Sequence, residues 1–277
     1  MAGIPSVSAP ASASSISRIL SPRIRFERNL RPMDWSEDAI ILHIRPHGET
    51  SAVAEVFARG QGRHLGLVKG GKSKKLRPVL QTGNLVAAHW RARLADHLGF
   101  FVVELAEPFA AQALDDPLAL AGIGTLTGLA RLLPERDPHP MLYDLALLMF
   151  RHFGEPELWP QILARWELQL LSELGFGLDL GRCAATGATE RLIYVSPKSG
   201  RAVSAEAGEP YREKLLALPA FLRDRTSADA GPRDILDALA LTGHFFDLHV
   251  LGPRNLRFPE GRQHLLQALR RQGGSAG

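Results

Sequence analysis

The sequence predicts an α+β protein, with a five-stranded closed barrel first and an α-helical body after it. Three observations lead there. Between Met33 and about Glu107, five short runs rich in β-branched and aromatic residues alternate with glycine-rich turns. From about Asp115 onward, prolines open successive apolar stretches at helical spacing. Finally, 277 residues with 45% hydrophobic content are enough to bury a core spread over one or two domains.

Taken in order, residues 1–32 are rich in Ala, Ser, Pro and Arg, with five arginines against one glutamate. Such a segment cannot pack a core and is expected to be a disordered extension. It superficially resembles an organellar transit peptide, but a start placed too far upstream, with Met33 as the initiator, is the preferred explanation; no apolar core marks a secretory signal. The first strand is expected at Ala39–Ile44, ending in the turn cluster Arg45–Gly48. Ser51–Phe57 and Arg63–Val68 follow, separated by Arg59–Gly62. Leu76–Leu80 reads as a single helical turn, Leu85–Arg93 as the fourth strand and Phe100–Leu105 as the fifth. Five strands within so short a block fit the OB-fold, a barrel whose closure removes exposed edges and which commonly binds oligonucleotides. Residues 33–110 are therefore assigned as an OB-fold nucleic-acid-binding domain, and 111–277 as a helical domain.

The barrel block has an unusual charge pattern. From Val56 to Ala95 there are nine Lys/Arg and no Asp or Glu, and Lys69, Lys72, Lys74, Lys75 and Arg77 lie in one loop between strands three and four. Unpaired cations are costly to bury, so this loop is solvated and attracts an anion. The rest of the chain from Met33 is acidic, with 19 Lys/Arg against 28 Asp/Glu outside that window. On the fourth strand His89, Arg91 and Arg93 share one parity, opposite to Trp90. Trp90 could serve as a base-stacking platform, but a lone tryptophan on a strand is more often a core residue, and that reading is preferred. The nucleic-acid-binding candidates are Arg63, Lys69, Lys72, Lys74, Lys75, Arg77, Arg91 and Arg93.

In the second half, Asp115-Asp116-Pro117 is an N-cap with proline at the first helical position, opening Leu118–Leu133. Pro140 and Pro156 open two further helices, and others are expected at about 232–251 and 261–271. Between them, residues 179–208 outline a zinc ribbon, with two knuckles around a short strand. Its ligands are missing, because Cys183 is the single cysteine and no histidine lies between His152 and His244. No metal and no cofactor is expected. One cysteine forms no internal disulfide and fits a reducing cytoplasm, and no run of about 18 apolar residues signals a membrane span.

No catalytic constellation stands out, and no enzymatic activity is expected. Gly66 to Ser73 fits the bare spacing of a phosphate-binding P-loop, but Pro78 and Thr82-Gly83 stop the long helix such a loop must open. Cys183 has no histidine nearby in sequence to activate it.

The residues resemble the RecO family of bacterial recombination mediators and DNA repair proteins from Met33 onward. The resemblance rests on Asp38–Leu42, Gly48–Ser51, Leu67–Gly70, Gln81–Leu85, the long stretch Trp166–Cys183, Thr186-Gly187 and Val195–Gly200. It implies an OB-fold with a helical domain, binding to single- and double-stranded DNA, annealing of complementary strands, and loading of a recombinase onto strands coated by single-strand-binding protein. The partners it implies are RecR and the acidic tail of single-strand-binding protein. Arg131, Arg151, Arg165 and His152 are possible cations for that tail. Some relatives bind zinc through four cysteines; here those positions are Cys183, Thr186, Ser204 and Ala207. An RNA-binding OB module or a protein-interaction scaffold without annealing activity is the alternative.

Overall fold

The computed structural model describes residues 33–94, 97–224 and 230–274. The extension 1–32 and the expectations placed on it lie outside these residues. Strands β1 (Met33–His47), β2 (Ser51–Ala58), β3 (Gly62–Val68), β4 (Leu85–Ala92) and β5 (Phe100–Glu107) form a closed barrel in the order β1-β2-β3-β5-β4. β1 is much longer than the apolar run at Ala39–Ile44. Its first half pairs with β4, with Trp35 opposite Trp90, and its second half with β2, with Ile44 opposite Ala54. One strand serving two neighbours in succession bends the sheet round, and a short parallel contact between β3 and β5 (Leu67 to Phe100, Val68 to Phe101) completes the circuit.

The barrel has two apolar surfaces. Ile41, Val56, Val68, Val86, Trp90, Phe101 and Val103 fill its interior. Ile40, Leu42, Phe57 and Leu85 point outward and join the core of the helical body, among Phe109, Leu126, Leu129 and Tyr143. Burial on both faces explains why Ala39–Leu42 is continuously apolar where a half-exposed strand would alternate. A register step between Ile41 and His43 accommodates the change of side.

The body starts with a short turn, α1 (Phe109–Gln112), then α2 (Pro117–Ala130), α3 (Pro140–Arg151) and α4 (Trp159–Glu173). Asp116 caps α2, its carboxylate accepting from the Leu118 and Ala119 N–H groups at 2.8 and 3.2 Å. α4 begins later than Pro156 suggests; Pro160 occupies its first turn, and a separate turn closes with Leu158 N–H on the Glu155 carbonyl. A small sheet follows, β6 (Leu192–Val195) flanked by β7 (Ala202–Ser204) and, beyond the short α5 (Ala205–Gly208), by β8 (Leu216–Ala217). α6 (Pro232–Phe246) and α7 (Glu260–Gly274) complete the body. By length and composition alone the helical stretch Pro232–Arg254 is apolar enough to cross a membrane, but 56% of its 18-residue apolar window is buried in the body. Glu167 on α4 and Arg262 on α7 form a fully buried ion pair at 2.8 Å, with Thr242 of α6 donating to the same carboxylate.

Polar contacts fix the barrel against the body. Arg59 grips Asp144 with two hydrogen bonds of 2.9 Å, and Arg151 reaches Glu107 at 2.6 Å. The buried Glu55 is shared by Arg63 at 2.6 Å and Arg131 at 2.9 Å, while Arg63 also donates to the Leu133 carbonyl. Tyr143 donates its hydroxyl to the Asp38 carbonyl at 3.0 Å.

Candidate nucleic-acid interface

The loop from Lys69 to Leu80 is a built structure. Gly70 takes a positive φ of 67°, and the Gly71 N–H closes the turn on the Val68 carbonyl. Lys72 is tied to the β1–β2 turn twice, its N–H donating to the Thr50 carbonyl and its ammonium to the Gly48 carbonyl at 2.7 Å. Ser73 then starts a helical turn, with Arg77 N–H on the Ser73 carbonyl and Leu80 N–H on the Leu76 carbonyl. Leu76, Val79 and Leu80 pack on the barrel interior. Asn84 clasps the far end, donating to the Pro78 and Val79 carbonyls while its oxygen accepts from Ala110 N–H. Apolar residues anchor the loop, so Lys69, Lys72, Lys74, Lys75 and Arg77 are left on its exposed side.

β4 continues that surface. Trp90 is 2% exposed, stacks near Trp35 in the barrel and donates its indole N–H to the Leu98 carbonyl, so it belongs to the core. His89, Arg91 and Arg93 face the other way, and His89 shares a 2.8 Å hydrogen bond with Ser36. Arg91 lies opposite Phe100 on β5. Lys69, Lys75, His89 and Arg91 surround one groove of about 740 Å³, with Lys72, Lys74 and Arg77 on the adjoining loop and Arg93 just past the end of β4. Among the described residues, none of Lys69, Lys72, Lys74, Lys75, Arg77, Arg91 and Arg93 has a carboxylate within ion-pair distance.

Arg63 stands apart from this set. It occupies the opposite end of β3, roughly 20 Å from the loop at a rise of about 3.3 Å per residue. There its guanidinium is held by Glu55, by the Leu133 carbonyl and, at 3.6 Å, by Glu135. Sequence reasoning also missed the groove's floor, which is apolar. Phe100, Val102 and Leu105 are 42%, 64% and 40% exposed on the outside of β5, and the Lys69 ammonium sits 4.8 Å from the Phe100 ring centroid. The alternation of β5 holds the only signal, since it sends Phe101 and Val103 inward.

The four cations considered for an acidic tail are each engaged elsewhere. Arg131 and Arg151 hold Glu55 and Glu107. Arg165 donates to the Phe221 and Asp224 carbonyls, and His152 contacts the Leu148 carbonyl through its ring.

In the small sheet the two knuckles meet. Ser204 N–H donates to Cys183 Sγ at 3.3 Å, and Ser204 Oγ accepts from Ala207 N–H. Burial pushes the Cys183 thiol up, but hydrogen bonds from Thr186 and Ser204 outweigh it and hold it down at about 6. One thiol, two neutral hydroxyls and the methyl of Ala207 do not fit a tetrahedral zinc, which takes thiolate, imidazole or carboxylate donors.

Comparison with known proteins accounts for both halves. Residues 33–109 match the family model for the recombination protein O N terminus, and residues 114–257 that for its C terminus. The DNA repair protein RecO of Methylorubrum populi is 52% identical over 235 residues, 83% of this chain and 96% of the relative. That of Mesorhizobium japonicum is 52% identical over 239 residues, covering 86% and 94%. That of Rhodospirillum centenum is 49% identical over 248 residues, covering 88% and 98%. With both family models and nearly the full length of these relatives matched, the chain belongs to the RecO family of DNA repair and recombination proteins.

Proposed function

We propose that this protein is a recombination mediator that binds single- and double-stranded DNA on the outside of its barrel, anneals complementary strands, and helps load a recombinase onto strands coated by single-strand-binding protein. One observation supports it above the others: seven cations without carboxylate partners among the described residues lie on one loop and the adjoining strand of a barrel. The strand order β1-β2-β3-β5-β4 suits an OB-fold, so 33–110 is taken as the DNA-binding domain and 111–277 as the helical domain. The insert at 179–208 is taken as a metal-free ribbon whose knuckles meet through the Ser204 N–H on Cys183 Sγ.

Annealing makes and breaks no covalent bond. The barrier is the mutual repulsion of two phosphate backbones, and a fixed array of cations lowers it by displacing condensed counterions. Contacts to phosphate position a strand without reading its bases, so the activity should be indifferent to sequence. RecR and the acidic tail of single-strand-binding protein are the proposed partners, in the bacterial cytoplasm, on the strength of family membership.

The deciding experiment is annealing of complementary strands pre-coated with single-strand-binding protein, alongside gel shifts with DNA and RNA competitors. Acceleration of annealing is expected. Intact DNA binding without acceleration would reduce the protein to a binding module, and preferential displacement by RNA would favour an RNA-binding barrel. A pull-down with the tail peptide tests that partner separately.

A further inference from the structure

We propose that the groove beside the basic loop holds one unpaired base of a single strand against Phe100, so that this face distinguishes single-stranded from duplex DNA. The inference rests on the DNA-binding function proposed above and names the contact that gives the site its strand preference.

A surface that only tracks phosphates has no need of an apolar floor. Here Phe100 and Val102 leave 42% and 64% of their surface in solvent although β5 has a barrel interior available for apolar side chains. Their neighbours across the pair are Arg91 and His89, and Leu67 of β3 flanks Phe100 on its other side. The ring therefore sits where three strands converge, on the floor of a groove of about 740 Å³, within the range of ligand pockets and ample for a nucleoside. Cations rim that end: Lys69 lies 4.8 Å from the ring centroid, and Lys75 and Arg91 line the same groove.

Charge and shape together select the occupant. A base laid on Phe100 brings its flanking phosphates towards Lys69, Lys75 and Arg91. Glu104, further along β5, turns the backbone away from the far end. Bases in a duplex are paired and stacked on each other and present no free face, whereas every unpaired base has one, so the contact senses strandedness and tolerates any sequence. Phe100 is a binding residue that adds to the phosphate contacts and replaces none of them.

The test uses the full chain and its Phe100→Leu and Phe100→Trp variants, with binding followed by fluorescence anisotropy. The probes are an oligothymidine strand, the same strand with abasic sites throughout, and a duplex. Leucine keeps the apolar contact but removes the π face, and the exposure of the ring makes the change harmless to the core. Phe100→Leu should weaken binding to the base-bearing strand by about tenfold while leaving the abasic strand and duplex unchanged, and Phe100→Trp should match or exceed the unaltered protein. Equal losses on all three probes, or no loss on the base-bearing strand, would overturn the proposal and leave phosphate tracking intact. If the unaltered chain binds none of the probes, the DNA-binding function fails with it.

Discussion

Lys74 and Lys75 offer the cleanest measurement of what the loop does. Both are exposed, neither has a carboxylate partner among the described residues, and neither holds the loop in shape, unlike Lys72 with its bond to the Gly48 carbonyl. Changing both to alanine removes two charges from an otherwise intact surface. Each phosphate contact on a single strand contributes about 0.7 to the slope of log K against log salt, so the double variant should lose about 1.4 from the slope. Between about 50 and 200 mM salt the log concentration changes by roughly 0.6, so the affinity deficit should be about sevenfold larger at the lower concentration. Anisotropy titrations across a salt series give both numbers, and a denaturant curve for each protein should coincide. A slope equal to that of the unaltered chain would remove the loop from the binding surface. Arg63→Ala is the contrasting control: its guanidinium is committed to Glu55 and the Leu133 carbonyl, so the change should cost about 2 kcal/mol of stability and leave the salt slope alone.

Two further outcomes follow from the interior. Glu167→Ala leaves the guanidinium of Arg262 buried without its carboxylate and should destabilise the fold by about 3–5 kcal/mol, seen as an early midpoint in urea. His64, edge-on to Trp90 at 4.5 Å and to Trp35 at 5.2 Å, is lowered to about 4 by burial first and then by the charge of Arg136. As pH falls below about 6.5 the unfolded chain takes up that proton before the folded one, so the stabilisation, present in full above 6.5, is lost progressively down to about 4 and amounts to about 3 kcal/mol. Unfolding curves at neutral and acid pH should differ by about that much more in the unaltered protein than in His64→Phe.

The barrel is visible in the sequence wherever a local rule decides. Gly-rich turns delimit β2, β3 and β5, and the parity that sends Arg91 out and Trp90 in operates between adjacent residues of a single strand. The first half of β1 is hidden for the opposite reason. Met33–Asp38 carries three carboxylates and no apolar run, and only pairing with β4, 49 to 59 residues away, makes it a strand. The same limit applies to the site. Charge can be counted along the chain, but its partner cannot, so Arg63 and Lys69 look alike until Glu55, Leu133 and Glu135 close around one of them. Phe100 and Phe101 are neighbours of identical composition, and the barrel wall alone decides that one is a floor and the other is core. Glu167 and Arg262 are 95 residues apart, with nothing in either local pattern to announce the pair.

The nine cations between Val56 and Ala95 have two fates, and together these set the charge on one face of the barrel. Two of them, Arg59 and Arg63, turn towards the body and meet Asp144, Glu55 and Glu135. Exposed pairs such as Arg59 with Asp144 hold little, because water screens them; the junction is kept together by Ile40, Leu42, Phe57 and Leu85 packed among helical residues. What these pairs supply is orientation, since each joins a fixed position on the barrel to a fixed partner. With the docking face fixed in this way, the other seven cations point outward, and the acidic excess lies in the remainder of the chain. On the function proposed above, this distribution would draw a DNA backbone to the loop and β4 in preference to the acidic remainder and so bring two strands to the same surface.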